Sequence, residues 1–364
     1  MQTLRVDLGN RSYPIIVGKG ILSRAGRLMR RMGFTTAPVI VTNSSVWRLH
    51  GPALIRSVET EFGPPAVIRI GDGERFKSHE TLLRIYDGMF RAHADRRSWV
   101  IAFGGGVVGD IAGFAAATFM RGIPYASIPT TLLAQVDSAI GGKVGINVAR
   151  GKNLIGAFHQ PSAVLSDTAL LRTLPARELA SGLYEVVKAG AIRSVRLLSY
   201  LERHLPQILR LRQAELEHIV LSASKIKAEV VSGDEREDEL RMILNYGHTV
   251  GHALEAATSY RRFKHGEAVA WGMIAALGFG RERGMLDEQE VRRLSDLIHR
   301  VETLPSLKGI RVRDVWNSLK RDKKFRSGKI RMVLLPRLGE TEIVPQVDPG
   351  QLYRYLAGFL ATAV

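Results

Sequence analysis

Through the first half of this 364-residue chain, short β-rich runs alternate with helical stretches, and no other feature constrains the fold as much. The runs are APVIVTNSS (37–45), PAVIRI (65–70), SWVIAFGGG (98–106), YASIPTT (125–131) and AVLSD (163–167), with helical stretches such as SHETLLRIYDGMFRAH (78–93) between them. Alternation of this kind indicates a mostly parallel sheet covered by helices, with function in the loops at the carboxyl ends of the strands. A Rossmann-like α/β domain is therefore expected over residues 1–175, opened by an amphipathic strand pair in MQTLRVDLGNRSYPIIVGKG. Beyond it the period changes. LLSYLERHLPQILRL (197–211) and AELEHIVLSASKIKAEVVS (214–232) are helical, and KIRMVLLPRLGETEIVP (329–345) reads as a small hairpin among helices. Residues 176–364 are expected to form a mainly α-helical domain, joined to the first without a flexible linker.

The chain has no cysteine, so disulfides and thiolate metal sites are excluded and any metal must use His, Asp or Glu. No stretch approaches the roughly 18 uninterrupted apolar residues of a membrane span, and the amino terminus lacks the pattern of a signal peptide. Cytoplasmic residence is the expectation. The formal charge of +17 suggests an anionic partner, and KRDKKFRSGKIR (320–331) holds seven Lys or Arg against one Asp. Neither an aromatic-interleaved RNA motif nor zinc-finger spacing accompanies that run, so it reads as a solvated surface and no nucleic-acid partner is expected.

Three loops in the first half suit nucleotide chemistry. In FGGGVVGDIAGF (103–114), Gly104, Gly106 and Gly109 fit G-x-G-x-x-G after a strand and open an apolar helix. Glycines there let backbone N–H groups approach a pyrophosphate at the positive end of the helix. The same spacing also serves tight strand-to-helix packing, and the ribose-binding acid expected roughly 20 residues further on is missing. GDGERFK (71–77) offers Asp72, Glu74 and Lys77 for ribose hydroxyls and a phosphate. PTTLLAQVDSAIGGKVGIN (129–147) starts a helix at Thr130 and Thr131 and breaks at Gly141-Gly142 before Lys143; a second glycine-flanked lysine follows as Lys152-Asn153. Lysines held in glycine loops suit anion capture.

The second half carries the metal-type residues. Glu185 and Lys188 lie at i and i+3 on an otherwise apolar helix. LNYGHTVGHALEA (244–256) puts His248 and His252 one turn apart, as in H-E-x-x-H zinc sites, but with no glutamate between them. Arg241 and Asn245 precede this pair, and His265 opens a further apolar helix. Catalytic zinc takes three N or O ligands and leaves a position open. Glu185, His248 and one of His252 or His265 supply such a set, and spacing alone does not choose between the two histidines.

Several blocks taken together resemble the 3-dehydroquinate synthase family. They are GGGVVGD, PTTLLAQVDSAIGGK, GKNLIGAF, LPARELASGL, EVVK, DERE, GHTVGHALEA, HGEAVAWGM and RDKK, in order, from about residue 13 to 345. Tyr184, Ala189 and Val144-Gly145 depart from the commoner residues of relatives, without removing a charged group. The resemblance implies a zinc or cobalt site of Glu185, His248 and His265, with His252 turned towards a substrate phosphate. It implies NAD held by Asp72, Gly73, Glu74, Arg75, Phe76 and Lys77, and by Gly105, Gly106, Val107, Val108, Gly109 and Asp110. Thr130, Thr131, Leu170, Leu171, Arg172 and Thr173 complete that set, while Asp137, Lys143 and Lys152 bridge cofactor and substrate. Substrate groups are implied to meet Asn153, Lys188, Lys227, Glu237, Arg241, Asn245, His252 and one of Lys323 and Lys324. Arg121, in FMRG, resembles an arginine that relatives donate to a neighbouring subunit, which implies a homodimer.

The family's substrate is 3-deoxy-D-arabino-heptulosonate 7-phosphate, at once a carboxylate and a phosphate monoester, which gives Lys143, Lys152, Lys188, Lys227, Arg241 and His252 a common purpose. The implied chemistry is a transient oxidation by NAD, loss of phosphate, return of the hydride and ring closure to 3-dehydroquinate. Arg241 and Lys227 are the implied carboxylate partners and speak against a cyclase acting on a substrate without that group.

Overall fold

A computed structural model describes residues 1–321, 325–326 and 329–362. The strands are β1 (Gln2–Val6), β2 (Tyr13–Gly18), β3 (Val39–Asn43), β4 (Ala66–Ile70), β5 (Val100–Gly104), β6 (Tyr125–Pro129), β7 (Lys143–Val148), β8 (Gly151–Phe158) and β9 (Ala163–Asp167), then β10 (Phe325–Arg326), β11 (Lys329–Leu334) and β12 (Glu342–Val347). The helices are α1 (Ala25–Arg31), α2 (Ser44–Phe62), α3 (His79–Arg91), α4 (Gly106–Thr118), α5 (Ala176–Arg193) and α6 (Val195–Leu209), followed by α7 (Gln213–Gly233), α8 (His248–Ala257), α9 (His265–Glu282), α10 (Glu288–Val301), α11 (Val312–Arg321) and α12 (Pro349–Thr362). They form two compact units: residues 1–175 with 211–236, and residues 176–210 with 237–364.

The first unit is built on a seven-stranded sheet in the order β1-β2-β9-β6-β5-β3-β4. Every pairing is parallel except that of β1 with β2. Its inner strands β3, β5, β6 and β9 are buried on both faces, which explains their nearly continuous apolar runs. Val39, Val41, Val100 and Ala102 pack towards α3 and α4, while the alternate residues Ile40, Ile101 and Phe103 pack towards α1 and α2. β4 follows β3 outward, and the chain then returns to place β5 on the other side of β3. Strand order reverses there, and in open α/β sheets the crevice at such a reversal is where ligands bind.

Two features depart from the sequence reading. The glycine-flanked lysines expected in loops lie on an antiparallel hairpin, with Lys143 opening β7 and Lys152 near the start of β8. Gly145 and Gly156 permit the close pairing: a Cβ on either would come within 2.5 and 2.2 Å of a carbonyl oxygen across the ladder. The second departure concerns α7, which the sequence places with the helical half. It packs instead in the first unit, against β1 and the 134–138 helical turn.

The second unit is helical around α5, α8 and α9, with β10, β11 and β12 forming a three-stranded antiparallel sheet that contains the expected hairpin. Glycines set its closest helix contacts. A Cβ on Gly272 of α9 would lie 1.8 Å from the Gly247 carbonyl oxygen, and one on Gly266 would lie 2.0 Å from that of Ser181. Gly247 also has a left-handed backbone, φ 78°, which a side chain would strain. These contacts draw the beginnings of α8 and α9 together beside α5.

Candidate active site and metal centre

In the second unit, α5 buries Glu185, α8 begins at His248 and α9 begins at His265. The start of α9 is fixed by Glu267, whose Oε2 accepts the Lys264 N–H at 2.7 Å while Arg177 forks onto both carboxylate oxygens. His248 Nε2 and His265 Nε2 lie 3.7 and 3.6 Å from the same oxygen, Glu185 Oε1. The opposite nitrogens are also placed: His248 Nδ1 is 3.1 Å from the Tyr246 carbonyl oxygen and His265 Nδ1 is 3.3 Å from Glu255 Oε2. Both oxygens are acceptors, so a proton on Nδ1 of each ring satisfies them and leaves the Nε2 atoms, which face Glu185, able to bind a cation. His252 joins the group, its ring centroid 5.1 Å from that of His248 and 5.7 Å from that of His265.

This donor set fits a divalent metal. The ligand atoms of the three histidines lie within 4.8 Å of one another. Glu185 Oε2 pairs with Lys188, yet neither buried oxygen of Glu185 accepts a hydrogen bond of ordinary geometry. A buried carboxylate short of hydrogen bonds facing two imidazole nitrogens is an arrangement that a cation would stabilise. Near it, Arg241 is buried in the turn Leu240–Asn245, and Asn245 Nδ2 donates to Glu237 Oε1 at 2.8 Å. Lys323 and Lys324 lie outside the described residues.

In the first unit, α4 starts at the carboxyl end of β5, beside the reversal of strand order. Its first-turn N–H groups have no intrahelical acceptors, and no side chain caps them. A Cβ added at Gly105 or Gly106 would meet Thr131 or Ser138 at 3.0 Å, whereas one at Gly109 would meet nothing within 4 Å. Gly105 and Gly106 therefore serve close packing and Gly109 leaves open space at the helix start. The arrangement fits a pyrophosphate.

The neighbouring loops converge through one hydrogen-bonded chain. Lys77 Nζ donates to Asp110 and to Asn153, and burial pushes the Asp110 carboxyl above its ordinary value against the pull of that ammonium. Asn147 Nδ2 donates to Glu74 Oε1 at 2.7 Å, and Asn147 Oδ1 accepts the Asn153 N–H at 3.0 Å. Asp72 accepts from Ser45 at 2.9 Å. Thr131 caps the next turn by accepting the Ala134 N–H, and that turn continues as a π-helix, Ala134–Ser138, which carries Asp137. Lys227 of α7 pairs with Asp137. Leu170 and Leu171 bury their side chains in the core, Arg172 is exposed, and Thr173 Oγ1 lies 2.8 Å from His50 Nε2. Asn147 and Glu255 are not singled out by the sequence; each contacts another polar residue of the candidate sites, and neither stands in a recognisable spacing.

A sequence model described as 3-dehydroquinate synthase N-terminal matches residues 67–181, and one described as 3-dehydroquinate synthase C-terminal matches residues 182–325. The chain belongs to the 3-dehydroquinate synthase family. Among family members, the 3-dehydroquinate synthase of Desulforamulus reducens is 46% identical over 98% of this chain and 100% of its own length. Among solved structures, the 2-epi-5-epi-valiolone synthase of Streptomyces hygroscopicus subsp. jinggangensis, with NAD+ and Zn2+ bound, superposes with a TM-score of 0.89 at 28% identity, covering 98% of each chain. A 2-deoxy-scyllo-inosose synthase complexed with carbaglucose-6-phosphate, NAD+ and Co2+ gives 0.85 at 25% identity, covering 98% of this chain and 100% of its own. A mostly parallel sheet followed by a largely helical half is thus shared with two enzymes that hold both a dinucleotide and a divalent metal.

Proposed function

We infer that this protein is a 3-dehydroquinate synthase, a phosphate-eliminating carbon–oxygen lyase that acts on 3-deoxy-D-arabino-heptulosonate 7-phosphate with NAD and a divalent metal, zinc or cobalt. The observation that carries the reading is the pair of imidazole Nε2 atoms directed at one buried Glu185 oxygen, in a chain of this family. When bound, the metal acidifies a substrate hydroxyl and NAD takes up and returns a hydride. Glu185, His248 and His265 are the proposed metal ligands. The Asp72–Lys77 loop, Gly105–Asp110, Thr130, Thr131 and Leu170–Thr173 are proposed to hold NAD, with the uncapped start of α4 receiving its pyrophosphate.

The remaining groups match a doubly anionic substrate. Arg241, a buried forked donor, is assigned with Lys227 to the carboxylate. His252, Lys152 and Lys188 are assigned to the phosphate and its neighbouring hydroxyls, and Asn153, Glu237 and Asn245 to the remaining hydroxyls. Asp137 and Lys143 are assigned to the junction of substrate and cofactor, and one of Lys323 and Lys324 completes the set. Their task is orientation and charge stabilisation, because the departing phosphate is itself basic enough to take the proton.

We also propose a homodimer in which Arg121 serves the partner's site. Arg121 is exposed, and it stands with Met120 and Gly122 in three successive left-handed conformations, φ 69°, 50° and 116°. Strain of this kind collects at functional segments. Phe90, 58% exposed, packs against Phe119 beside this turn, and Met120 is 37% exposed, so the turn adjoins apolar surface that a second copy would cover.

Phosphate release from the heptulosonate phosphate tests the reading. Release is expected to require NAD, to stop on chelation, to resume with Zn2+ or Co2+, and to leave no net NADH. Release indifferent to both treatments, or stoichiometric NADH, overturns it.

A further inference from the structure

Glu255 is buried on α8, two helical turns after His248 and one after His252, so all three share a face of that helix. A carboxylate removed from water needs a partner, and Glu255 Oε2 finds one in His265 Nδ1 at 3.3 Å. The two proposed imidazole ligands are held differently. His248 rests on a backbone carbonyl and its side chain is only 10% exposed. His265, the first residue of α9, is 33% exposed, so packing constrains its ring less.

We propose that Glu255 is a positioning residue for the metal centre: its carboxylate accepts the Nδ1–H of His265, fixes the tautomer that leaves Nε2 free, and holds that nitrogen against Glu185. The negative charge on the far side of the ring also makes Nε2 a stronger donor. The backbone carbonyl behind His248 supplies orientation without that charge, so His265 is the ligand whose strength depends on a side chain. This inference rests on the metal reading of Glu185, His248 and His265.

The test is Co2+ titration of the chelated full-length chain, followed by visible absorption, with Zn2+ competition, for wild type, Glu255→Gln and Glu255→Ala. Affinity is expected to fall in that order, by about 10- to 100-fold for Glu255→Ala, with the cobalt bands of the alanine variant shifted. The glutamine amide oxygen still accepts from Nδ1–H, so that variant keeps orientation but loses charge. Co2+ affinity of Glu255→Ala equal to wild type, with unchanged bands, overturns the proposal. Should Glu255→Ala not fold, the comparison of Glu255→Gln with wild type decides: weaker binding supports the role and equal binding overturns it. Glu185→Gln and His265→Ala separate the two levels. If they bind Co2+ as wild type does, the metal reading fails and the proposal with it; if they lose Co2+ while Glu255→Ala does not, only the positioning role falls.

Discussion

At the scale of single residues, the proposed reading divides labour among three histidines that spacing leaves equivalent. His248 and His265 turn Nε2 towards Glu185 because an acceptor holds the opposite nitrogen of each. His252 stands beside them, one turn along α8, with the substrate phosphate as its proposed partner. His265→Ala is therefore expected to abolish stoichiometric zinc, measured by metal analysis after dialysis. His252→Ala is expected to keep zinc and lose phosphate release by about 100-fold, the scale of a lost charge-stabilising donor. Zinc lost from His252→Ala as from His265→Ala would sink the division. Glu185, His248, His252 and His265 stand out in the sequence because such side chains are chemically unusual on apolar helices, and the structure brings the three histidines together. Glu255 and Asn147 do not, since a carboxylate or amide that works through a neighbour has no signature until the fold brings the neighbour to it.

At the scale of elements, legibility followed periodicity and failed where glycine interrupts it. The five strands expected between residues 37 and 167 are present as β3, β4, β5, β6 and β9, because buried parallel strands leave dense apolar runs. The β7–β8 hairpin has no strand signature in the sequence because Gly145, Gly151 and Gly156 break its alternation, although Gly145 and Gly156 allow the two strands to approach. The glycines after β5 proved to have distinct tasks, which gives a prediction. At Gly109 an added methyl group meets no protein atom, and alanine is the better helix former by about 1 kcal/mol. Gly109→Ala should fold with an unchanged or slightly raised melting temperature. If the pyrophosphate rests on this turn, the methyl group should weaken NAD binding by about tenfold, equivalent to about 1.4 kcal/mol. Calorimetric titration with NAD checks it; undiminished affinity would place the dinucleotide elsewhere.

At the scale of the whole molecule, the sequence supports one cut near residue 175, whereas the chain passes between its two compact units three times. The reason lies in α7: its helical pattern matches that of its neighbours in sequence, and it is its packing against β1, β2 and the 134–138 turn that assigns it to the first unit. Lys227 travels with it to Asp137, while Glu237, Arg241 and Asn245, a few residues on, belong to the second unit. The proposed dimer adds a second chain through Arg121. If Arg121 acts across a two-fold axis, Arg121→Ala and His265→Ala should each be inactive alone, for different reasons. Unfolding and refolding them together at equal concentration lets mixed dimers form. In a mixed dimer, the subunit bearing Arg121→Ala keeps its own His265 and receives Arg121 from its partner, so one of the two sites is complete. With half of the dimers mixed, about a quarter of wild-type phosphate release should return. Arg121 acting within its own chain would leave both sites of every mixed dimer defective, and no activity would return.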